Sequence, residues 1–171
     1  MGVPADMLVG RRLAIGALGS AVDAAIGGTG GVVLLAGEAG MGKTALASEA
    51  VAYAKARGAE TVWGTCWEGD GAPGFWPWIQ VVRALAPDGG GAGESVLAEL
   101  TGVTEGRSGV LGDESALRFR TYDMAATYVR RRAAQRPLVI VLDDLHWADA
   151  SSLRLLGFLA RVCVGFRLGR V

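Results

Sequence analysis

The sequence has few residues that could cross-link the chain or hold a soft metal ion. Its two cysteines, Cys66 and Cys163, lie far apart, form no CxxC pair and have no histidine partner nearby. This pattern argues against a zinc site and against a disulfide framework. It favours a reducing compartment, which we expect to be the cytoplasm.

The sequence also lacks a long hydrophobic run and a net charge. No stretch approaches the ~18 apolar residues of a membrane span, and the N-terminal twelve residues lack the apolar centre of a signal peptide. Seventeen basic side chains balance seventeen acidic ones, so no overall field attracts the chain to nucleic acid or to an anionic membrane. We therefore expect no membrane partner and no direct nucleic-acid binding by this segment.

The chain is nevertheless long and apolar enough to bury a core. It has 171 residues, of which 51% are hydrophobic, and chains of this size usually form one domain. Glycine is abundant at 27 residues, but glycine and proline together stay below the level of disordered chains. We expect a single domain over residues 1–171.

Hydrophobic patterns predict helices and strands in alternation. Short apolar runs bounded by glycine, proline or aspartate predict three parallel strands, the first covered on both faces; they are residues 32–36 (VVLLA), 61–65 (TVWGT) and 138–142 (LVIVL). Apolar residues at helical spacing predict helices over residues 11–26, 43–57, 77–86, 95–100, 114–134 and 150–162. Either Asp149 or Ser151 is expected to cap the last helix.

A glycine-rich loop follows the first predicted strand. It reads GEAGMGKT and satisfies GxxxxGK[ST] between an apolar run and a helix. Glycines permit positive φ angles there, so that successive backbone N–H groups converge on a phosphate. The alternative is a glycine-rich turn that matches by accident. The residues predicted to bind ATP are Gly37, Glu38, Ala39, Gly40, Met41, Gly42, Lys43 and Thr44.

Two residues of this loop have predicted chemical roles. Lys43 is expected to reach the β- and γ-phosphates and to act as a catalytic residue, and the Thr44 hydroxyl is expected to coordinate Mg²⁺. The helix that begins at Lys43 adds the positive end of its dipole. The loop therefore predicts a site for ATP with Mg²⁺.

Two carboxylates follow the third predicted strand. Asp143 is predicted to hold Mg²⁺ at the C-terminal edge of the sheet, directly or through water. Asp144 is predicted to be a catalytic residue that polarises the attacking water. The alternative for both is a turn that ends the strand. His146, the only histidine, either contacts the γ-phosphate or a water, or packs on Trp147.

Four segments together are more specific than the phosphate loop alone. They are LVGR at residues 8–11, GEAGMGKT at 37–44, the aromatic tract at 63–78, and VIVLDDLHWAD at 139–149. In these segments the chain resembles the origin-recognition-like AAA ATPase domain of LuxR-type ATP-binding transcription factors and related STAND signalling proteins. From the residues themselves, the aromatic tract is either a partner surface or a plug at one end of the sheet.

The resemblance implies further properties of the nucleotide site and the fold. Arg11 is expected near the nucleotide, with Leu8 and Val9 against the base, although Arg12 stands where the family usually has glutamate. The implied fold is α/β, a three-layer αβα P-loop NTPase with a parallel sheet, truncated after the Walker B strand and its following helix. The family's fourth strand belongs between the first and third, and residues 165–171 are a weak substitute for it.

The implied function is Mg·ATP binding, with slow hydrolysis in the intact parent, as a regulatory switch of a signalling or transcriptional regulator. Its implied partners are the downstream domains of a longer protein, and a second copy of that protein. A small-molecule P-loop kinase is an alternative, although no arginine-rich lid stands between the second and third predicted strands. An inactive fragment is another.

Overall fold

The computed structural model describes residues 12–69, 71–86, 91–104 and 114–163. Within these ranges it contains six α-helices, two β-strands and one turn of 3-10 helix. In chain order they are α1 (Arg12–Ile26), α2 (Lys43–Ala56), β1 (Glu60–Thr65), α3 (Trp76–Leu85), α4 (Ala92–Thr104), α5 (Glu114–Gln135), β2 (Leu138–Asp143), the 3-10 turn (Leu145–Trp147) and α6 (Ala150–Cys163). All six predicted helices are confirmed, and α4 is longer than its sequence pattern predicted.

The two strands form a parallel pair. The Glu60 amide donates to the Pro137 carbonyl at 2.7 Å, and the Cys66 amide donates to the Asp143 carbonyl at 3.0 Å. From the first bond to the second, the residue numbers increase along both strands, so the strands run parallel. The second and third predicted strands and their parallel direction are thus confirmed.

The first predicted strand is wrong. Within the described residues the sheet consists of β1 and β2, and residues 32–36 join neither. An apolar run becomes a strand only when a neighbour supplies partners for its backbone N–H and C=O groups. The sequence pattern of residues 32–36 shows that they are hydrophobic, but it does not show whether a neighbouring strand is available to pair with them.

The burial of this run also differs from the prediction that both faces are covered. Val33 and Leu35 pack against the hydrophobic cluster that joins α1 to α2. Val32 is 38% exposed and Leu34 is 71% exposed. The alternation shows that only one side of the run is covered.

The described residues divide into two compact units. The first comprises residues 12–61, 136–139 and 163. In it α1 packs along α2, with Val22 against Ala54 and Ala59. Tyr53 on α2 donates a hydrogen bond to Asp23 on α1 at 3.0 Å. These contacts hold the helix that follows the phosphate loop.

The second unit comprises the described residues of 62–135 and 140–162. Helix α4 packs against both α3 and α5. The fully buried side chains of this unit include Ile79, Val81, Leu85, Leu100 and Leu155. No helix among the described residues is both long and apolar enough to cross a membrane.

Candidate functional site

The phosphate loop has the backbone conformation that its glycines predict. Gly40 has a φ of 77°, and Gly42 has a φ of 73° and a ψ of 35°. These left-handed conformations are strained for residues with a side chain and are readily adopted by glycine. Gly42 directly precedes α2, and its carbonyl accepts the Leu46 amide at 3.0 Å. The loop therefore passes straight into the helix, as the motif requires.

The Lys43 side chain folds back onto this loop. Its Nζ donates hydrogen bonds to the carbonyl oxygens of Gly37 and Glu38, each at 2.9 Å. These carbonyls hold the ammonium beside the first residues of the loop. A phosphate bound by the loop would therefore meet a cation that is already in position.

The remainder of the loop is open to solvent. Glu38 and Ala39 are exposed, and Met41 is 53% exposed. A Cβ atom built on Gly40 would meet nothing within 4 Å. No side chain caps the N-terminus of α2, and an anion is a suitable partner for amides at such an end. The loop thus has the space and the donors that a phosphate needs.

The two carboxylates lie at the C-terminal end of β2, as predicted, in the second unit. Asp143 is half-buried and its Oδ1 accepts the Asp144 amide at 3.0 Å. Asp144 is exposed and has a left-handed backbone, with φ 55° and ψ 39°. It directly precedes the 3-10 turn. The backbone reversal at Asp144 therefore separates a half-buried carboxylate from an exposed one.

The predicted metal ligands are oxygen donors of the class that Mg²⁺ prefers. Within the described ranges, no group of three or more His, Cys, Asp or Glu side chains could hold a metal ion. A Mg²⁺ ion at a nucleotide site takes most of its ligands from phosphates and water, and only one or two from the protein. The hydroxyl of Thr44, exposed on the first turn of α2 in the first unit, and the carboxylate of Asp143 in the second unit are oxygen donors of this kind. Their role as Mg²⁺ ligands stays a prediction.

The ring of His146 lies against Trp147. Their ring centroids are 5.1 Å apart and the rings are tilted by 47°. Both residues are exposed, Trp147 by 45%. This contact is the one that the packing alternative for His146 predicted. A role toward a γ-phosphate stays a prediction.

The aromatic tract is partly core and partly surface. Phe75 and Trp78 are 2% and 3% exposed, and Trp78 Nε1 donates to the Ser152 carbonyl at 3.0 Å. Trp67 is 59% exposed. The end of the tract that enters α3 therefore packs into the second unit, whereas Trp67, just after β1, presents its indole to solvent. Both interpretations of the tract, a partner surface and a plug at one end of the sheet, stay predictions.

Asp149, rather than Ser151, caps α6. Its Oδ1 accepts the amides of Ser151 and Ser152, each at 3.0 Å. The sequence pattern did not show that Oδ2 also accepts the Phe75 amide, at 3.2 Å, from a residue 74 positions earlier. No local periodicity signals a bond over that distance. The only signal in the sequence was that Asp149 is a residue type that commonly caps helices.

The Cys66 thiol is buried near the carboxylates of Asp143, Asp144 and Asp149. It is free and 5% exposed. Burial, together with the negative charges of Asp149, Asp144 and Asp143, raises the pKa of Cys66 from 9.0 to about 11. Both causes disfavour the thiolate, so this thiol stays protonated at neutral pH.

Three residues implied by the resemblance, Leu8, Val9 and Arg11, lie outside the described residues. Their expected position beside the nucleotide therefore stays a prediction.

Comparisons with known proteins cover most of the chain. A family model for the AAA ATPase domain matches residues 7–163. An uncharacterized protein of Rhizobium meliloti (strain 1021) is 27% identical over 180 aligned positions. That alignment covers 93% of this chain and 18% of the relative, so the chain spans less than a fifth of the relative's length. No solved structure matches the chain.

Proposed function

The chain belongs to the AAA ATPase domain family, and from this we propose that it binds Mg·ATP as the regulatory nucleotide switch of a larger signalling or transcriptional protein. The observation that carries the proposal is the phosphate loop. Its left-handed glycines open directly into α2, and Lys43 is held against its carbonyls. This combination of backbone donors, helix N-terminus and lysine is suited to a triphosphate.

Each residue of the site has a proposed role. Residues 37–42 and the first turn of α2 would hold the phosphates through backbone N–H groups. Lys43 would contact the β- and γ-phosphates, and Thr44 and Asp143 would hold Mg²⁺. When bound, the metal ion neutralises the charge that develops on the phosphate oxygens. Arg11 is proposed to lie near the nucleotide.

Hydrolysis would depend on Asp144. Its carboxylate is exposed and would orient a water toward the terminal phosphate as a general base. Aspartate is one methylene shorter than glutamate, so it reaches less far. We therefore propose that any hydrolysis is slow, which suits a switch that is reset after each signal.

The setting of the domain follows from the same proposal. The chain spans only part of its longer relative, and we propose that the domains that read the switch belong to a longer protein and that two copies of that protein associate. We place that protein in the cytoplasm, where Cys66, a free thiol, stays reduced.

Calorimetric titration of the purified chain with Mg·ATP tests the proposal. We expect saturable binding that Lys43→Ala abolishes, because the variant loses the cation against the loop. Lys55→Ala is the matched control, since Lys55 lies on the same helix, is exposed and is far along it from the loop. It should bind like the parent chain.

Two results would contradict the proposal. One is the absence of binding by a chain whose thermal unfolding is cooperative. The other is equal affinity of the Lys43→Ala and Lys55→Ala variants, which would mean that binding does not use the loop.

A further inference from the structure

The turn over residues 143–149 contains Asp143 and Asp144. Each end of this turn is hydrogen-bonded to the aromatic tract. At the first end, the Cys66 amide donates to the Asp143 carbonyl at 3.0 Å. At the other end, the Phe75 amide donates to Asp149 Oδ2 at 3.2 Å. Cys66 and Phe75 are both residues of the tract, near its beginning and its end. The tract therefore brackets residues 143–149.

Between these two bonds the turn has two hydrogen bonds within its own backbone. The Trp147 amide donates to the Asp144 carbonyl at 2.9 Å, and the Ala148 amide donates to the Leu145 carbonyl at 3.1 Å. Asp149 follows directly. A turn of this length with both ends held has few ways to move, so its position depends on the two bonds that hold it.

The bond between Asp149 and Phe75 uses an oxygen that helix capping does not need. Oδ1 alone accepts the amides of Ser151 and Ser152. Oδ2 accepts the Phe75 amide and the Ser152 hydroxyl. The second oxygen thus joins the start of α3 to the start of α6.

Phe75 is itself in a conformation that requires support. Its backbone is left-handed, with φ 61° and ψ 17°, which is uncommon and strained for a bulky residue. Phe75 is 2% exposed, and its ring and that of Tyr122 are in T-shaped contact with centroids 6.1 Å apart. Nearby, Trp78 Nε1 donates to the Ser152 carbonyl. The end of the tract is therefore attached to α6 at two points.

We propose that Asp149 is a positioning residue for the Mg²⁺ side of the nucleotide site, which it serves by fixing the Asp143–Asp144 turn to the aromatic tract. The inference rests on the proposed function. The positions of Cys66 and Phe75 then set the affinity of the domain for Mg²⁺ with nucleotide. Anything that shifts either residue changes that affinity through its bond to the turn.

The substitution Asp149→Asn separates this role from helix capping. Asparagine is as good an N-cap as aspartate, so its remaining oxygen keeps the amides of Ser151 and Ser152. Its amide nitrogen is a donor and cannot accept the Phe75 N–H, whereas it can donate to the Ser152 hydroxyl oxygen, so only the bond to Phe75 is lost. Asp123→Asn is the control for loss of one carboxylate charge, because Asp123 is exposed on α5.

Two readouts are needed, one of which uses no ligand. In the free protein, hydrogen exchange of the Phe75 amide should become faster in Asp149→Asn, while the amides of Ser151 and Ser152 keep their protection. With ATP, the Mg²⁺ concentration at half-maximal binding should rise about tenfold, as the loss of one hydrogen bond to a charged acceptor implies. ATP binding in EDTA should change by less than about twofold, since it depends on the phosphate loop.

The variant Trp78→Phe tests the same attachment by a second route. It removes the Nε1 donor that bonds Ser152 and retains an aromatic ring. We expect a smaller rise in the Mg²⁺ midpoint than in Asp149→Asn, and no change in Asp123→Asn.

The inference is overturned if Asp149→Asn leaves the Mg²⁺ midpoint unchanged, even with faster exchange at Phe75, because Asp149 would then be only structural. It is also overturned if binding with Mg²⁺ and binding in EDTA weaken equally. Absence of binding by the unmodified chain would instead refute the proposed function, and this inference with it. That result is visible before any variant is compared.

Discussion

Two apolar runs of similar composition have different structures in this protein. Residues 138–142 form most of β2 and pair with β1, whereas residues 32–36 join no strand within the described parts of the chain. Leu138 is 5% exposed and Leu34 is 71% exposed. Both runs precede a loop with candidate chemistry. The comparison shows that hydrophobicity selects segments that could be strands, and that an available partner determines which of them is one.

The loops that follow the two runs also differ in how far they depend on bonds to other parts of the chain. The phosphate loop is shaped by the backbone freedom of glycine and by one lysine that folds onto it. The turn after β2 is held by the tract on both sides, through Cys66 and Phe75. A loop that receives its ligand from solvent can be open. A loop that must present a carboxylate at one position needs bonds from its surroundings.

The largest effect should come from truncating equivalent leucines in the two runs. Leu138→Ala should lower the free energy of unfolding by about 3 kcal/mol, because a buried side chain leaves a cavity. Leu34→Ala should lower it by less than about 0.5 kcal/mol, as exposed substitutions do. Urea denaturation of both variants measures the difference. Equal losses would mean that residues 32–36 are buried in solution, and the comparison would fail.

A smaller change in stability is expected when a closely packed glycine and an open glycine are each replaced by alanine. A Cβ built on Gly64, in β1, would lie 2.3 Å from the Pro77 carbonyl oxygen, so Gly64→Ala should destabilise the chain by about 2 kcal/mol through overpacking. Gly157 in α6 has nothing within 4 Å of its Cβ position. There an alanine should stabilise the helix by up to about 1 kcal/mol.

Thermal unfolding of the two alanine variants would compare them directly. If Gly64→Ala melts at the same temperature as the unmodified chain, β1 does not approach the start of α3 as closely as the structure shows. The paired region would then be no more tightly packed than the open one.

The smallest effect concerns the thiol next to the paired strands. Burial and the neighbouring carboxylates raise the pKa of Cys66 from 9.0 to about 11 in the folded chain. Between these two values the folded chain keeps the thiol proton and the unfolded chain loses it. The contribution of Cys66 to the free energy of unfolding is therefore complete below pH 9 and is lost as the pH rises toward about 11. In a Cys163→Ser background, iodoacetamide should alkylate Cys66 slowly at pH 8.5.

An exposed thiol in the phosphate loop is the matched control. Ala39→Cys, made in a chain that lacks both natural cysteines, places a thiol at an exposed position near Lys43 and the start of α2. It should react at least as fast as a free peptide thiol. Similar rates at Cys66 and at position 39 would show that Cys66 is accessible and that its surroundings do not oppose ionisation.

Much of the secondary structure could be predicted because its causes are local. The helix predicted from residue 43 begins at Lys43 in the structure, and the one predicted from residue 114 begins at Glu114. Periodic apolar residues and nearby glycine or proline are sufficient to locate such helices. The phosphate loop was likewise predictable, since its glycines are required by the backbone of the loop itself.

The failed strand prediction has the opposite cause. Residues 32–36 meet every local criterion for a buried strand, but β-structure depends on a partner that lies elsewhere in the chain. The bond between Asp149 and Phe75 was missed for a related reason. Either residue alone has an ordinary interpretation, as a helix cap and as a core aromatic.

Short-range patterns in this amino-acid sequence specify where helices begin, where the phosphate loop lies, and that Asp143 and Asp144 end a strand. Each of these depends on residues within a few positions, where backbone preference and hydrophobic spacing act directly. Folding in three dimensions decides which apolar run pairs, that Gly64 must have no side chain beside Pro77, and that Asp149 meets Phe75. These contacts join residues far apart in the chain, so their energy exists only once the surrounding structure has formed.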